Sequence, residues 1–239
     1  MALRARSYTI TATERFIFAN RRGRRIVGLI DYPPGADPVA RTLVLCHGYG
    51  GDKDGRYLAT IANAVTGAGG ATVRFDFTDG AGESDGTLAG ASVGGYADDL
   101  DDVLDFVARQ PRLAGCALGI GGHSYAGRVV LVVAARRPGL TAVYFLSGVY
   151  ERVGAGTMAA VVARIAAPLF IIHAGSDREV PLAQAEALAQ ATGSRAIAFE
   201  VIAGADHNFT APGTAERLAA SIRDSFFAPD APKSAARGE

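Results

Sequence analysis

The sequence predicts an α/β domain on a mostly parallel, twisted sheet of about eight strands, with helices on both faces. Three observations carry this. Short apolar runs alternate with longer amphipathic ones, as strands joined by crossover helices do. Of the 239 residues, 49% are hydrophobic, enough for one sizeable core. The residues best suited to chemistry fall just after apolar runs, at strand carboxyl ends, where such sheets bind ligands.

Taken in order, residues 7–19 and 24–32 read as an antiparallel strand pair, turned at Asn20 to Gly23. Pro33-Pro34-Gly35 breaks the chain. Residues 42–46 form a buried strand, 57–65 a helix ended by Gly67, and 72–75 the next strand. The helix over 96–109 places Tyr96, Leu100, Val103, Leu104 and Val107 on one face. Asp98, Asp99, Asp101, Asp102 and Asp105 occupy the remainder and read as a solvated face, since no histidine joins them as a metal ligand. Pro111 closes that helix. Residues 116–118 are a strand, 119–127 a glycine-rich turn and 128–137 a helix. A strand at 142–146, a short helix at 157–165 and a strand at 168–172 follow. Last come a helix at 182–191, a strand at 196–202 and a helix at 213–226. A single domain over 1–227 is expected, with 228–239 a disordered tail.

Lys plus Arg and Asp plus Glu are both 24, so net charge gives no general pull toward nucleic acid or anionic membrane. Arg4, Arg6, Arg15, Arg21, Arg22, Arg24 and Arg25 make the start locally basic and read as a solvated edge hairpin. Only Lys53 and Lys233 are lysines. No secretory signal or membrane-spanning run is expected, and Cys46 and Cys116 read as free thiols in buried strands. These features lead to a cytoplasmic expectation, with a monomer or homodimer both open.

The run Gly119-Ile120-Gly121-Gly122-His123-Ser124-Tyr125-Ala126-Gly127 puts a serine at a sharp turn between strand and helix. A serine hydroxyl is a weak nucleophile and needs a base, which in turn needs an orienting acid. Asp177 follows one later strand and His207 the last, giving the chain order Ser, Asp, His. Asp206 is the rival acid but adjoins His207 in sequence, and Glu151 offers an earlier alternative several residues late in its loop. His47, His123 and His173 lack metal-ligand spacing. His47 is expected to brace its loop, His123 to neighbour Ser124 but project differently from the sharp turn, and His173 to be structural. Gly80-Ala81-Gly82 and Gly119-Ile120-Gly121 do not complete a dinucleotide fingerprint, because Asp85 and Ser124 stand where the third glycine is needed. No cofactor or metal is expected.

That order, the serine turn, Leu45-Cys46-His47-Gly48-Tyr49-Gly50-Gly51, and Val73 to Phe77 followed by Gly80 to Gly86 resemble the α/β-hydrolase superfamily over almost the whole chain. The wording is most similar to small serine esterases of the feruloyl or cinnamoyl type. The resemblance implies Ser124 as nucleophile, His207 as base and Asp177 as acid. It implies an oxyanion hole from the backbone amides of Tyr49 and Tyr125, with Gly50 as the alternative to Tyr49. One departure is the fifth motif position, where Ala126 replaces the usual glycine and Gly127 follows. Relatives that are dehalogenases or epoxide hydrolases carry aspartate at the nucleophile position, which disfavours those chemistries here.

The segment between Ser147 and Pro168 is too short for a large cap. An open, shallow site is expected, walled by Tyr49, Gly50, Tyr125, Val149, Tyr150 and Met158. The substrate expected is a small or aromatic carboxylic ester, with long-chain lipids disfavoured. An amide or thioester handled by the same residues is the alternative, and a non-catalytic binding protein the third reading.

Overall fold

The computed structural model describes residues 12–151, 158–192 and 196–228. Arg4, Arg6, the start of the first expected strand, residue 157 of the expected short helix and the expected tail beyond 228 lie outside the described residues. Two antiparallel strands, β1 (Ala12–Ala19) and β2 (Arg25–Tyr32), pair through a turn where Gly23 takes φ 71°. Six more strands join them: β3 (Arg41–Cys46), β4 (Ala71–Phe75), β5 (Ala117–His123), β6 (Ala142–Leu146), β7 (Leu169–Ala174) and β8 (Ala196–Ile202). The sheet order is β1-β2-β4-β3-β5-β6-β7-β8. β2 runs antiparallel to β4, and all pairings from β4 onward to β8 are parallel.

The helices are α1 (Arg56–Gly67), α2 (Val93–Ala108), α3 (Tyr125–Arg136), α4 (Ala159–Val162), α5 (Ala183–Thr192) and α6 (Thr214–Phe227). Strand side chains alternate between two helical layers, as the period of two requires. Leu43 and Leu45 of β3, with Tyr144 and Leu146 of β6, pack on Leu58 and Ile61 of α1 and Leu218 and Ile222 of α6. Val44 of β3, Ile120 of β5 and Val143 and Phe145 of β6 face Leu100 and Leu104 of α2 and Val129 and Val133 of α3. Both faces of the central strands are therefore covered, which explains their near-continuous apolar composition.

The glycine run is a strand rather than a turn. β5 extends to His123, and the turn shrinks to Ser124 alone. The reason is close packing. A Cβ at Gly119 would lie 2.8 Å from the Phe226 ring, and one at Gly122 would lie 2.2 Å from the Ala126 carbonyl oxygen. Glycines let the first turn of α3 and the end of α6 approach the sheet closely.

The basic hairpin and the acidic helix also differ from their sequence readings: they pair with one another. Asp99 is fully buried rather than solvated. It accepts hydrogen bonds from Asn20 Nδ2 at 2.7 Å, Arg22 Nη2 at 2.9 Å, the Thr78 amide at 2.8 Å and Thr78 Oγ1 at 2.6 Å. Arg21 pairs with Asp102 at 2.9 Å, and Arg24 with Asp79 at 2.6 Å. The hairpin tip thus clamps α2 to the loop after β4. Asp98 and Asp101 on the outer side of α2 pair with Arg136 of α3.

Between β6 and β7 the described residues hold only the four-residue α4. Cys46 is buried in β3, whereas Cys116 lies just before β5 and is half-buried; both are free. Among the described residues no helix is long and apolar enough to cross a membrane.

Candidate active site

Ser124 joins β5 directly to α3 and holds φ 55°, ψ −118°. Positive φ is costly for a residue with a side chain and persists only when its surroundings enforce it. Here the Ser124 amide donates to the Leu146 carbonyl of β6 at 3.0 Å. The Ser124 carbonyl accepts from the amides of Gly127 and Val149, both at 3.0 Å. Ala126 is fully buried, and the closest approach falls one residue later: a Cβ at Gly127 would lie 2.7 Å from the Gly148 Cα. The turn therefore accommodates the alanine and keeps its glycine at the tighter position.

The loops after β7 and β8 carry Asp177 and His207. They are tied together by the Gly175 amide on the Ile202 carbonyl and the Ser176 amide on the Ala205 carbonyl, each at 2.8 Å. His207 Nδ1 is 2.7 Å from Asp177 Oδ2, and His207 Nε2 is 2.9 Å from Ser124 Oγ. A carboxylate only accepts, so Nδ1 carries the proton and Nε2 turns its lone pair to the serine hydroxyl. Asp177 Oδ1 accepts from the amides of Glu179 at 2.9 Å and Val180 at 2.8 Å. Burial alone would raise the Asp177 carboxyl; the bonds from His207, Val180 and Glu179 outweigh it and hold the group below its usual value. Asp206 turns instead to the amide and hydroxyl of Thr210. Glu151 is exposed, and its amide binds Gln184 Oε1 at 2.7 Å.

The loop after β3 brings backbone up to the serine. A Cβ at Gly48 would lie 2.9 Å from the Ser124 Cβ. Gly50 takes φ 73°, and the Gly51 amide closes the turn onto the Gly48 carbonyl at 3.1 Å. Beneath this loop, His47 Nδ1–H donates to the Gly48 carbonyl at 2.8 Å, and Nε2 accepts from the Phe77 amide at 3.2 Å. Burial pushes His47 below its usual pKa, which keeps Nε2 available as acceptor. The far end of the loop is pinned at Lys53. Its amide donates to Asp76 Oδ1 at 2.7 Å, and its ammonium reaches Asp76 at 3.0 Å and Glu83 at 2.6 Å. Burial would lower the ammonium's pKa, but Glu83, Asp76 and Asp54 overcome that and raise it.

A cleft of about 400 Å³ opens over Ser124 and His207. Tyr49 and Gly50 line it, and Tyr49 is 59% exposed, with its ring edge-on to Tyr125 at 6.0 Å. Tyr150 and Met158 do not wall it. They are 2% and 3% exposed and belong to the core beside α3 and α5. The amide of Tyr150 binds Gln184 Oε1 of α5 at 2.8 Å. Val149 acts through its backbone on the serine turn and is absent from the lining. The walls missed from sequence are Asp52, Arg56, Glu179, Asn208 and Thr210. Glu179 stands 3.8 Å from His207 Nε2 and shares with His207 and Asn208 an adjoining hollow of about 360 Å³. Each lies on a segment that follows a strand's carboxyl end, up to Arg56 at the start of α1. Among the described residues no group of His, Cys, Asp and Glu could hold a metal ion.

The model of the alpha/beta hydrolase domain matches residues 39–225. The chain belongs to the α/β hydrolase family. Solved folds agree. Est1E from Butyrivibrio proteoclasticus, seen with ferulic acid bound, superposes with a TM-score of 0.78 at 17% identity, over 88% of this chain and 97% of that one. An alpha-beta serine hydrolase homologue from Coxiella burnetii gives 0.76 at 24% identity, over 92% and 99%. In sequence, this hydrolase domain is 32% identical to the mitochondrial palmitoyl-protein thioesterase ABHD10 of Rattus norvegicus over 96 residues, 40% of this chain. The curated relatives are matched over about a third of their own length, 32% and 30%.

Proposed function

We propose that this chain is a serine esterase that cleaves small or aromatic carboxylic esters through an acyl-enzyme. The observation that carries the reading is the hydrogen-bonded line from Ser124 Oγ through His207 to Asp177, at 2.9 and 2.7 Å, at the floor of an open cleft. Ser124 Oγ attacks the acyl carbon as His207 Nε2 takes its proton. Asp177 holds the tautomer and stabilises the imidazolium that forms. The carbonyl oxygen gains charge toward the amides of Tyr125, at the first turn of α3, and of Tyr49. His207 then passes its proton to the leaving alkoxide, and a water repeats the sequence to free the acid. The exposed Tyr49 ring and its edge contact with Tyr125 favour a flat aromatic acyl group.

A thioester is the second reading, favoured by the 32% identity to a palmitoyl-protein thioesterase. A hydrolysis panel separates them: nitrophenyl acetate, butyrate and palmitate, methyl ferulate, an acyl thioester and an amino-acyl anilide, each with wild type and Ser124→Ala. Cleavage of short or aromatic esters that vanishes in Ser124→Ala is expected. Equal turnover by both proteins would end the proposal.

A further inference from the structure

The buried groups outside the Ser124, His207 and Asp177 line include one that joins the strand carrying Ser124 to the loop carrying His207. His123 ends β5, next to Ser124 in the chain, and is 2% exposed. Its Nε2 lies 2.8 Å from the His207 carbonyl oxygen. A carbonyl cannot donate, so Nε2 carries the proton and His123 is the donor. The ring is held on two sides, by Tyr57 and by the His207 ring, each at 4.6 Å between centroids. Its Nδ1 edge faces the loop after β3, where a Cβ at Gly48 would lie 3.3 Å away.

We propose that His123 is a positioning residue for His207, fixing the base over Ser124 from the backbone side while Asp177 fixes it from the ring side. This rests on the reading of Ser124 and His207 as nucleophile and base. His207 lies in an irregular stretch beyond β8, near the edge of the sheet, whereas Ser124 follows the central β5. The His123 bond ties the two segments directly, because its donor is carried by the strand that carries the serine. The registers of β5 with β3 and β6 make that strand rigid.

The chemistry also explains why the donor is an imidazole. Burial, followed by the neighbouring His207, lowers the His123 pKa to about 3, so the ring is neutral. A lysine or arginine could donate the same bond but would place a fixed cation against a base that must itself become cationic. A neutral donor orders the loop without opposing proton transfer.

The test compares His123→Gln, whose amide nitrogen reaches the Nε2 position, with His123→Asn, which falls short, and His123→Phe, which fills the volume without a donor. The rate of covalent labelling by a serine-directed fluorophosphonate reads Ser124 reactivity without a choice of substrate. The expected result is a fall on the order of 10²-fold for Phe and Asn, with Gln within about 10-fold of wild type. The downfield proton signal of the Nδ1–H shared with Asp177 should persist in Gln and broaden in Asn. If Phe fails to fold, the Gln and Asn pair decides. Labelling of Asn at the wild-type rate, or equal loss in Gln and Asn, overturns the proposal. A folded wild type that resists labelling overturns the nucleophile reading and this inference together; labelling that all variants share overturns this inference alone.

Discussion

Gly48 approaches Ser124 so closely that a Cβ on it would lie 2.9 Å from the serine Cβ. The loop after β3 and the Ser124 turn are therefore built as one surface, with no room for a methyl group between them. On the proposed esterase reading, Gly48→Ala should force the Tyr49 amide away from the developing oxyanion. Loss of one such donor costs about 2.7–4 kcal/mol in barrier, a fall in kcat of about 10²–10³. Steady-state kinetics with an unfolding curve checks this; an unchanged kcat in a folded variant contradicts it.

Asp177→Asn should be far more damaging than Asp206→Asn. The amide can present a donor toward His207 Nδ1 and favour the wrong tautomer, so kcat should fall by up to about 10⁴-fold. The Asp206 carboxylate is bonded to the amide and hydroxyl of Thr210, so its variant should retain wild-type turnover within about 3-fold. Parallel kinetics on both variants reads the difference.

Stability should depend on which aspartate of α2 is removed. Asp99→Ala leaves the Thr78 amide, Asn20 and Arg22 without their acceptor in a buried setting, and should cost about 3 kcal/mol. Asp98 is 37% exposed and its pairs reach solvent, so Asp98→Ala should cost under about 1 kcal/mol. Urea unfolding of both variants gives the comparison.

Among the buried imidazoles, His47 and His123 predict acid sensitivity. Burial lowers both, His123 to about 3. In the unfolded chain each titrates near its ordinary value of about 6.5, so below that pH the unfolded state binds more protons. The stabilisation is thus complete above about pH 6.5 and drains as pH falls toward the folded values. From about pH 7 to about pH 5 the His123 share amounts to about 2 kcal/mol. Urea unfolding at both pH values should show wild type losing that much more than His123→Gln; parallel losses contradict it.

The strand order along the chain and the placement of Ser124, Asp177 and His207 at strand ends were legible because both follow from local pattern: apolar runs mark strands, and loops after parallel strands share one edge. What was not legible depends on partners distant in sequence. Asp99 looks like its neighbours on α2 until the hairpin tip at Asn20 and Arg22 folds over it. Gly119 looks like a turn residue until Phe226 arrives against it. Tyr150 was misplaced because its amide meets Gln184 of α5, 34 residues along the chain. Glu179 escaped notice because its approach to His207 exists only once two loops are tied together.

The measurement closest to the central claim is intact-protein mass spectrometry with peptide mapping after fluorophosphonate exposure, on wild type, Ser124→Ala and His207→Ala. The account predicts a single adduct on the peptide carrying Ser124, none there in Ser124→Ala and much slower formation in His207→Ala. A folded wild type that stays unmodified, or an adduct that forms equally well without Ser124, would contradict it.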